Sequence, residues 1–87
     1  MDVSIIFNRA AFKHGISEAD IRWAIDTAEY DGLTLDEEDA EDKRLLIGFD
    51  KNANPLEVMY NIIDENTINI FHAMKCRKIY YGLIKRH

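Results

Sequence analysis

Hydrophobic residues recur along the chain with two different spacings, and each spacing predicts a different kind of element. Across residues 18–29 they fall at every third or fourth position, which places them on one face of a helix. Ser17 followed by Asp20 is a helix start signal, and Ile16 and Ile21 have the spacing of a hydrophobic staple. The pattern therefore predicts a helix over residues 18–29. Its core face consists of Ile21, Ala24, Ile25 and Ala28.

The N-terminal segment contains a second capping pattern. Asn8 can cap a short helix over residues 8–14, and Gly15 stands directly after it, where a left-handed backbone is commonly needed. Residues 3–7 are mostly apolar, and their pattern fits a short strand or an apolar lead-in. The sequence leaves these two structures open.

Strand patterns occupy the middle of the chain. Residues 44–50 are a mostly apolar run that is followed by a turn-rich segment. In residues 56–63, every second residue is hydrophobic and would lie on the same side of a strand: Leu56, Val58, Tyr60 and Ile62. A tight connection follows, so residues 67–73 are expected to pair antiparallel with residues 56–63. With a short first strand at residues 33–35, the pattern predicts an antiparallel sheet of three or four strands.

From residue 74 the spacing becomes helical again and predicts a C-terminal helix over residues 74–85. The sequence thus favours an α+β fold, with N-terminal helices, an antiparallel three- to four-stranded sheet and a C-terminal helix packed on the sheet. Residues 1–87 are expected to form a single domain. The residues predicted to be mostly buried are Ile21, Ala24, Ile25, Leu45, Ile47, Val58, Tyr60, Ile70, Ile79, Leu83 and Ile84, with Cys76 and Tyr80 on the same helical stripe.

Charge is distributed unevenly along the chain. The net charge is −5, and residues 17–42 hold eleven acids against the single base Arg22. The acidic run 36–42 is expected to be a solvated loop. After Glu65 there is no acid, and the bases of this end are Lys75, Arg77, Lys78, Lys85 and Arg86. The acidic total argues against a protein that coats nucleic acid non-specifically, but it permits a local basic patch.

Composition also bears on location. No apolar run approaches the roughly 20 residues that a membrane-spanning helix needs, and residues 1–7 lack the basic leader of a secretory signal. Cys76 is the only cysteine, so no intramolecular disulfide can form. These features predict a cytoplasmic protein that does not enter a membrane.

Several short motifs follow one another in a recognisable order. They are Lys13-His14-Gly15-Ile16, Ser17 opening a helix, Ile47-Gly48, Leu56-Glu57-Val58, and Ile70-Phe71-His72-Ala73-Met74 before a basic segment that contains tyrosines. This order resembles the BrnT-like toxins, which belong with the RelE/ParE-type toxins, and small uncharacterised bacterial proteins with a His-Ala-Met ending. The resemblance implies a ribonuclease that cuts RNA without a metal or other cofactor. It also implies a cognate antitoxin protein, encoded beside the toxin, that inhibits it.

Cleavage of RNA without a metal needs a base for the 2′-hydroxyl, cations for the phosphate and an acid for the leaving oxygen. We predict His72, Arg77 and Tyr81 as catalytic residues: His72 as base or acid, Arg77 as a phosphate ligand, and Tyr81 as a stacking group or proton donor. Arg77 and Tyr81 share a face of the predicted helix. The residues predicted to bind RNA are Lys13, His14, Lys75, Lys78 and Lys85.

Structural interpretations stand beside each of these roles. Alternation along residues 67–73 puts His72 on the face of Ile68 and Ile70, where a hydrogen-bonded structural histidine is also expected. Lys13 and His14 lie at the C-terminal end of the predicted short helix, where a cation interacts favourably with the helix dipole. The basic face of the predicted C-terminal helix, with Arg77, Lys78, Lys85 and Arg86, is of a kind that is commonly exposed to solvent without binding a ligand.

The same residues bear on two other classes of function. A metal site is not expected, because the histidines are isolated and the acids lack ligand spacing. The alternative to a ribonuclease is a non-enzymatic protein-interaction domain on the same fold, whose acidic segment meets a basic partner and whose cationic end meets an acidic one. The pattern does not determine the oligomeric state.

Overall fold

A mixed five-stranded sheet organises the molecule in the computed structural model, which describes residues 3–33 and 43–84. The strands are β1 (Ser4–Phe7), β2 (Tyr30–Leu33), β3 (Arg44–Phe49), β4 (Pro55–Asp64) and β5 (Thr67–Lys75). Their order across the sheet is β1-β5-β4-β3-β2. β1 runs parallel to β5, and every other neighbouring pair is antiparallel.

Three helical elements accompany these strands in the described part of the chain. An N-terminal 3-10 helix spans Arg9–Phe12, the α-helix α1 spans Glu18–Asp26, and a C-terminal 3-10 helix spans Lys78–Leu83. The capping residues act as the sequence predicts. Asn8 Oδ1 accepts from Ala10 N–H at 2.9 Å, and Ser17 Oγ accepts from Asp20 N–H at 3.1 Å. The backbone of Gly15 is left-handed, with φ 79°.

The predicted fold class is wrong about the sheet, which has five strands and is mixed, not antiparallel with three or four strands. Residues 3–7, left open by the sequence, include strand β1, and β1 makes the sheet mixed because it pairs parallel with β5. A parallel pair needs a crossover connection, so no local pattern reveals it. The first of the antiparallel strands lies at Tyr30–Leu33, and the remainder of the predicted strand 33–35 lies outside the described residues, as does the acidic run 36–42.

The predicted C-terminal helix over residues 74–85 is also wrong. β5 continues to Lys75, and Arg77 keeps an extended backbone (φ −76°, ψ 150°) before the 3-10 helix starts. Cys76 N–H bonds Pro55 O at 3.0 Å, which holds this segment along the start of β4. A 3-10 helix has three residues per turn, so Tyr80 and Leu83 share its inner side. Ile79 therefore turns outward and is 68% exposed, against the prediction.

Both faces of the sheet carry hydrophobic clusters. On one face α1 and the N-terminal 3-10 helix cover the first cluster, whose buried members are Ala11, Ile21, Ala24, Leu46, Leu56, Val58, Tyr60, Ile70 and Ala73. On the other face the C-terminal 3-10 helix covers the second, formed by Leu45, Ile47, Cys76 and Tyr80. The predicted helix over residues 18–29 ends earlier, at Asp26, and Ala28 is exposed. Apart from Ala28 and Ile79, the residues predicted to be core are buried or, for Ile25, Leu83 and Ile84, partly buried.

The described residues form a compact body with a Cα radius of gyration of 12.1 Å. Within residues 3–33 and 43–84, no helix has both the length and the apolar character needed to cross a membrane.

Candidate functional site

The register of the central strands places a carboxylate and an imidazole on one face of the sheet. Glu57 in β4 lies opposite Ile47 and Met74, and His72 in β5 lies opposite Met59. Side chains of directly opposed residues point to the same face, and diagonal neighbours on that face are within reach of long side chains. Glu57 and His72 are such a diagonal pair, on the face that the C-terminal 3-10 helix covers.

A β-bulge puts His72 on this face. Asn61 pairs with Asn69 and Tyr60 with Ile70, but the next pair is Met59 with His72, so Phe71 has no partner in β4. An extra residue in one strand reverses the face of every side chain beyond it. The predicted sharing of a face by His72 and Ile70 is therefore wrong.

Glu57 is fully buried, and two residues share its carboxylate. His72 Nε2 lies 3.0 Å from Oε2. Arg77 donates its backbone N–H to Oε1 at 2.9 Å, its Nη2 to Oε2 at 2.7 Å, and its Nε to both oxygens at 3.0 and 3.1 Å. This carboxylate fixes both the imidazole of His72 and the path of the chain after β5.

The protonation state of Glu57 follows from its surroundings. Burial by itself would raise the pKa of this carboxyl, but hydrogen bonds from His72 and Arg77 and the charge of Arg77 outweigh burial and lower the pKa to about 2. Glu57 is thus ionised at neutral pH and only accepts hydrogen bonds, so His72 Nε2 is the donor. In the neutral ring, His72 Nδ1 is then the basic nitrogen.

A second imidazole lies against the first. The rings of His14 and His72 meet edge to face, with centroids 5.5 Å apart. β1 pairs with β5 only as far as Ile70, and beyond it the N-terminal 3-10 helix lies beside β5. The chain then turns at Gly15, and His14, directly before this turn, lies against His72. The His72 side chain is 21% exposed and His14 is exposed, so both rings are open to solvent.

Arg77 adds a cation to the same surface. Its side chain is 46% exposed, and its guanidinium lies 5.5 Å above the Tyr80 ring. Nε and Nη2 bind Glu57, whereas Nη1 takes no part in those bonds and can bind a phosphate oxygen. Because these four residues are the candidates for catalysis, we call His14, Glu57, His72 and Arg77 the catalytic cluster.

The structure brings together two of the three predicted catalytic residues. No hydrogen bond in the described part of the chain links Tyr81 to the catalytic cluster. Instead, Tyr81 lines a separate cleft with Asn54, Pro55, Lys75 and Cys76. The shared helix face predicted for Arg77 and Tyr81 is lost, because residue 77 is extended and the following turn is a 3-10 helix.

The residues predicted to bind RNA are spread over the molecule. His14 belongs to the catalytic cluster, and Lys13 is exposed beside it. Lys75 and Lys78 are exposed on either side of Arg77 along the chain. Lys85 lies outside the described residues.

Sequence reasoning missed the role of Glu57. It was recognised only as part of a strand motif, although a lone acid between the apolar Leu56 and Val58 is unusual in a buried strand. That isolation was the available signal. Its partners, His72 and Arg77, are 15 and 20 residues away along the chain, and no local pattern connects them.

Cys76 does not add a nucleophile to the cluster. It is buried, as predicted, and burial together with the neighbouring Glu57 carboxylate raises the pKa of its thiol to about 11. A thiol with this pKa is protonated at neutral pH and reacts poorly. Across residues 3–33 and 43–84, no group of three or more His, Cys, Asp or Glu side chains is arranged to hold a metal ion.

Comparison with protein-family models finds no matching family, and comparisons with curated proteins and with solved structures find no significant match.

Proposed function

We propose that the protein is a cytoplasmic, metal-independent endoribonuclease, the toxin component of a bacterial toxin–antitoxin pair. The observation that carries the catalytic part is the buried carboxylate of Glu57, which binds His72 and Arg77 together beside the second imidazole of His14. An oriented base, a second titratable ring and a guanidinium are the groups that cleavage of a phosphodiester requires.

In the proposed reaction His72 Nδ1 removes the proton of an RNA 2′-hydroxyl. The 2′-oxygen attacks the adjacent phosphorus, and the bond from phosphorus to the 5′-oxygen of the next nucleotide breaks. Protonated His14 donates its proton to that 5′-oxygen, so the products are a 2′,3′-cyclic phosphate and a 5′-hydroxyl. Arg77 stabilises the negative charge of the phosphate in the transition state, and Glu57 stabilises the imidazolium that forms on His72.

The remaining predicted residues take binding roles in this proposal. Lys13 flanks His14, and Lys75 and Lys78 flank Arg77, so these exposed cations bind phosphates on the two sides of the cleaved bond. Lys85 is assigned the same role from its sequence position. Tyr81 contacts RNA without transferring a proton, because it is not hydrogen-bonded to the catalytic cluster in the described part of the chain.

The first test measures cleavage of RNA in the presence of a chelator. Wild-type protein should convert RNA into fragments that end in 2′,3′-cyclic phosphate. His72→Ala and His14→Ala should each lower the rate by about 10²- to 10⁴-fold, the usual contribution of a positioned acid or base. Gel analysis of a labelled oligonucleotide measures the rate, and end-group analysis identifies the product.

Arg9→Ala is the matched control, because Arg9 is an exposed residue of the N-terminal 3-10 helix outside the catalytic cluster. This variant should cleave at the wild-type rate. Equal RNA loss with wild type and both histidine variants, or cleavage that stops on addition of the chelator, would contradict the proposed mechanism.

The partner proposal concerns the cationic surface beside the catalytic cluster. An acidic segment of the antitoxin is proposed to bind the exposed Lys75 and Lys78, which flank Arg77 along the chain, and so to compete with RNA for these cations. Complementary charge of this kind mainly speeds and orients association. Arg77 is a poor site for testing whether surface charge attracts the antitoxin, because its replacement would also remove the hydrogen bonds that its side chain donates to Glu57.

Lys75→Glu combined with Lys78→Glu should therefore slow association with the purified antitoxin by about tenfold or more at low salt, and should flatten its salt dependence. Surface plasmon resonance measures both quantities. Arg9→Glu is the control for a changed surface charge, and its association rate should stay much closer to wild type. Unchanged kinetics in the double variant would place the interface elsewhere.

A further inference from the structure

A half-open cleft lies at the end of the sheet, next to the catalytic cluster. Its volume is about 210 Å³. The lining residues are Asn54, Pro55, Lys75, Cys76 and Tyr81. The bond from Cys76 N–H to Pro55 O, at 3.0 Å, joins the two chain segments that form its walls. The walls formed by Pro55 and Cys76 are therefore fixed by the sheet, and Asn54 comes from the exposed connection between β3 and β4.

The size of the cleft limits what it can hold. Pockets for drug-sized ligands have volumes of roughly 300 to 1,000 Å³. A volume near 210 Å³ is enough for a smaller group such as one nucleobase.

The lining residues offer three kinds of contact to such a group. Tyr81 is 44% exposed, so part of its ring can stack on a base. Asn54 Nδ2 donates to Asp50 Oδ2 at 3.2 Å, which leaves the amide oxygen of Asn54 to accept an N–H from a base edge. The exposed Lys75 supplies an ammonium group for a phosphate.

The distance to the catalytic cluster fits one continuous RNA strand. Lys75 lines the cleft and Arg77 binds Glu57, and two residues of extended chain span at most about 7 Å. The segment that lines the cleft therefore adjoins the segment that carries Arg77, so one RNA strand can contact both. The intervening Cys76 has its side chain in the second hydrophobic cluster, which holds this spacing rigid.

We propose that the cleft is a nucleobase subsite, in which the base next to the cleaved bond of a single-stranded RNA stacks on Tyr81 while Lys75 binds its phosphate. This inference rests on the proposed ribonuclease function. It assigns Tyr81 a role in holding substrate. Because every base has an aromatic face, stacking admits all four bases, and the subsite selects unpaired RNA over a duplex.

The test measures binding separately from cleavage. A fluorescent, single-stranded oligonucleotide with 2′-O-methyl groups cannot be cut by attack of a 2′-hydroxyl, and fluorescence anisotropy reports its Kd. Stacking on an aromatic residue is worth about 1 to 3 kcal/mol per base, so Tyr81→Ala should weaken binding by about 5- to 150-fold. Tyr81→Phe, which keeps the ring, should bind within about twofold of wild type.

Two controls isolate the stacking contact. Ile79→Ala removes an exposed apolar side chain from the same 3-10 helix, outside the cleft, and should leave the Kd unchanged. An oligomer of the same length without bases should bind wild type and Tyr81→Ala equally, because phosphate contacts alone remain.

The outcomes separate this inference from the function on which it rests. If wild type cleaves RNA but Tyr81→Ala binds the 2′-O-methyl oligonucleotide as tightly as wild type, the subsite is refuted and the ribonuclease stands. Cleavage of RNA by wild type without measurable binding of that oligonucleotide likewise refutes the subsite. If wild type neither cleaves RNA nor binds the oligonucleotide, both proposals fail.

Discussion

Replacing Gly48 with alanine should destabilise the protein by at least about 4 kcal/mol, a large share of the roughly 5 to 15 kcal/mol that holds a domain folded. A Cβ at this position would lie 1.9 Å from Ala24 O and 2.6 Å from Ala24 C. These are backbone atoms of α1, so no side-chain rotation relieves the clash and the helix must move off β3. Urea denaturation, followed by circular dichroism, measures the loss.

The other glycines provide matched controls. A Cβ at Gly82 meets nothing within 4 Å, so Gly82→Ala should stay within about 1 kcal/mol of wild type. Gly15→Ala also meets open space, but its left-handed backbone should cost about 1 to 2 kcal/mol. A Gly48→Ala protein as stable as Gly82→Ala would show that α1 is not packed on β3 at this point.

Glu57→Gln should lower stability and, if the proposed function is correct, the rate of RNA cleavage as well. The amide keeps the shape of the side chain, but it removes the buried charge that His72 and Arg77 bind and places an NH₂ group among their donors. Breaking a buried ion pair costs about 3 to 5 kcal/mol, and the partial exposure of Arg77 favours the lower end of this range. Denaturation at pH 7 measures the stability, and the RNA assay measures the rate.

Stability as a function of pH gives a second readout of the same contact. The pKa of Glu57 is lowered by folding from 4.5 to about 2, so its stabilising contribution is fully present above about pH 4.5. The contribution is lost as the pH falls from about 4.5 toward 2, because the unfolded chain binds a proton at Glu57 in this interval while the folded protein does not. The stability difference between wild type and Glu57→Gln should shrink over the same interval.

Glu65→Gln is the control for this comparison, since Glu65 is an exposed acid and its replacement changes the net charge equally. Its stability should follow that of wild type across the whole pH range. If the stability difference between Glu57→Gln and wild type stays constant between pH 5 and 2, the carboxylate is not held by His72 and Arg77 in the folded protein.

The sequence by itself determined the parts of the structure that neighbouring residues control. The caps at Asn8 and Ser17 and the left-handed turn at Gly15 form as predicted, because each depends on hydrogen bonds or dihedral angles within a few residues. The hairpin of β4 and β5 was predicted for the same reason, since a tight connection joins two apolar runs. Most of the buried core residues were also predicted, from the spacing of apolar residues along each helix and strand.

Tertiary structure alone decided the pairing of the N-terminal strand β1 and the conformation of the C-terminal segment after β5. β1 pairs with β5 across about sixty residues of sequence, from Ser4 to Thr67, and no local pattern encodes that pairing. The C-terminal stripe had helical spacing, but Glu57 accepts the backbone N–H of Arg77 and keeps that residue extended. A buried ionic contact thus overrides a helical preference, which is worth only tenths of a kcal/mol per residue.

The catalytic cluster, too, depends partly on the sequence and partly on the tertiary structure. The sequence identified His72, Arg77 and His14 as residues with suitable chemistry, whereas their arrangement depends on the unpaired Phe71 in β5. Strand side chains alternate with a period of two, so this one extra residue moves His72 from the face of Ile70 to the face of Glu57. The types of chemical group were set by the sequence, and their meeting on one surface was set by strand register, which is fixed only when the whole sheet forms.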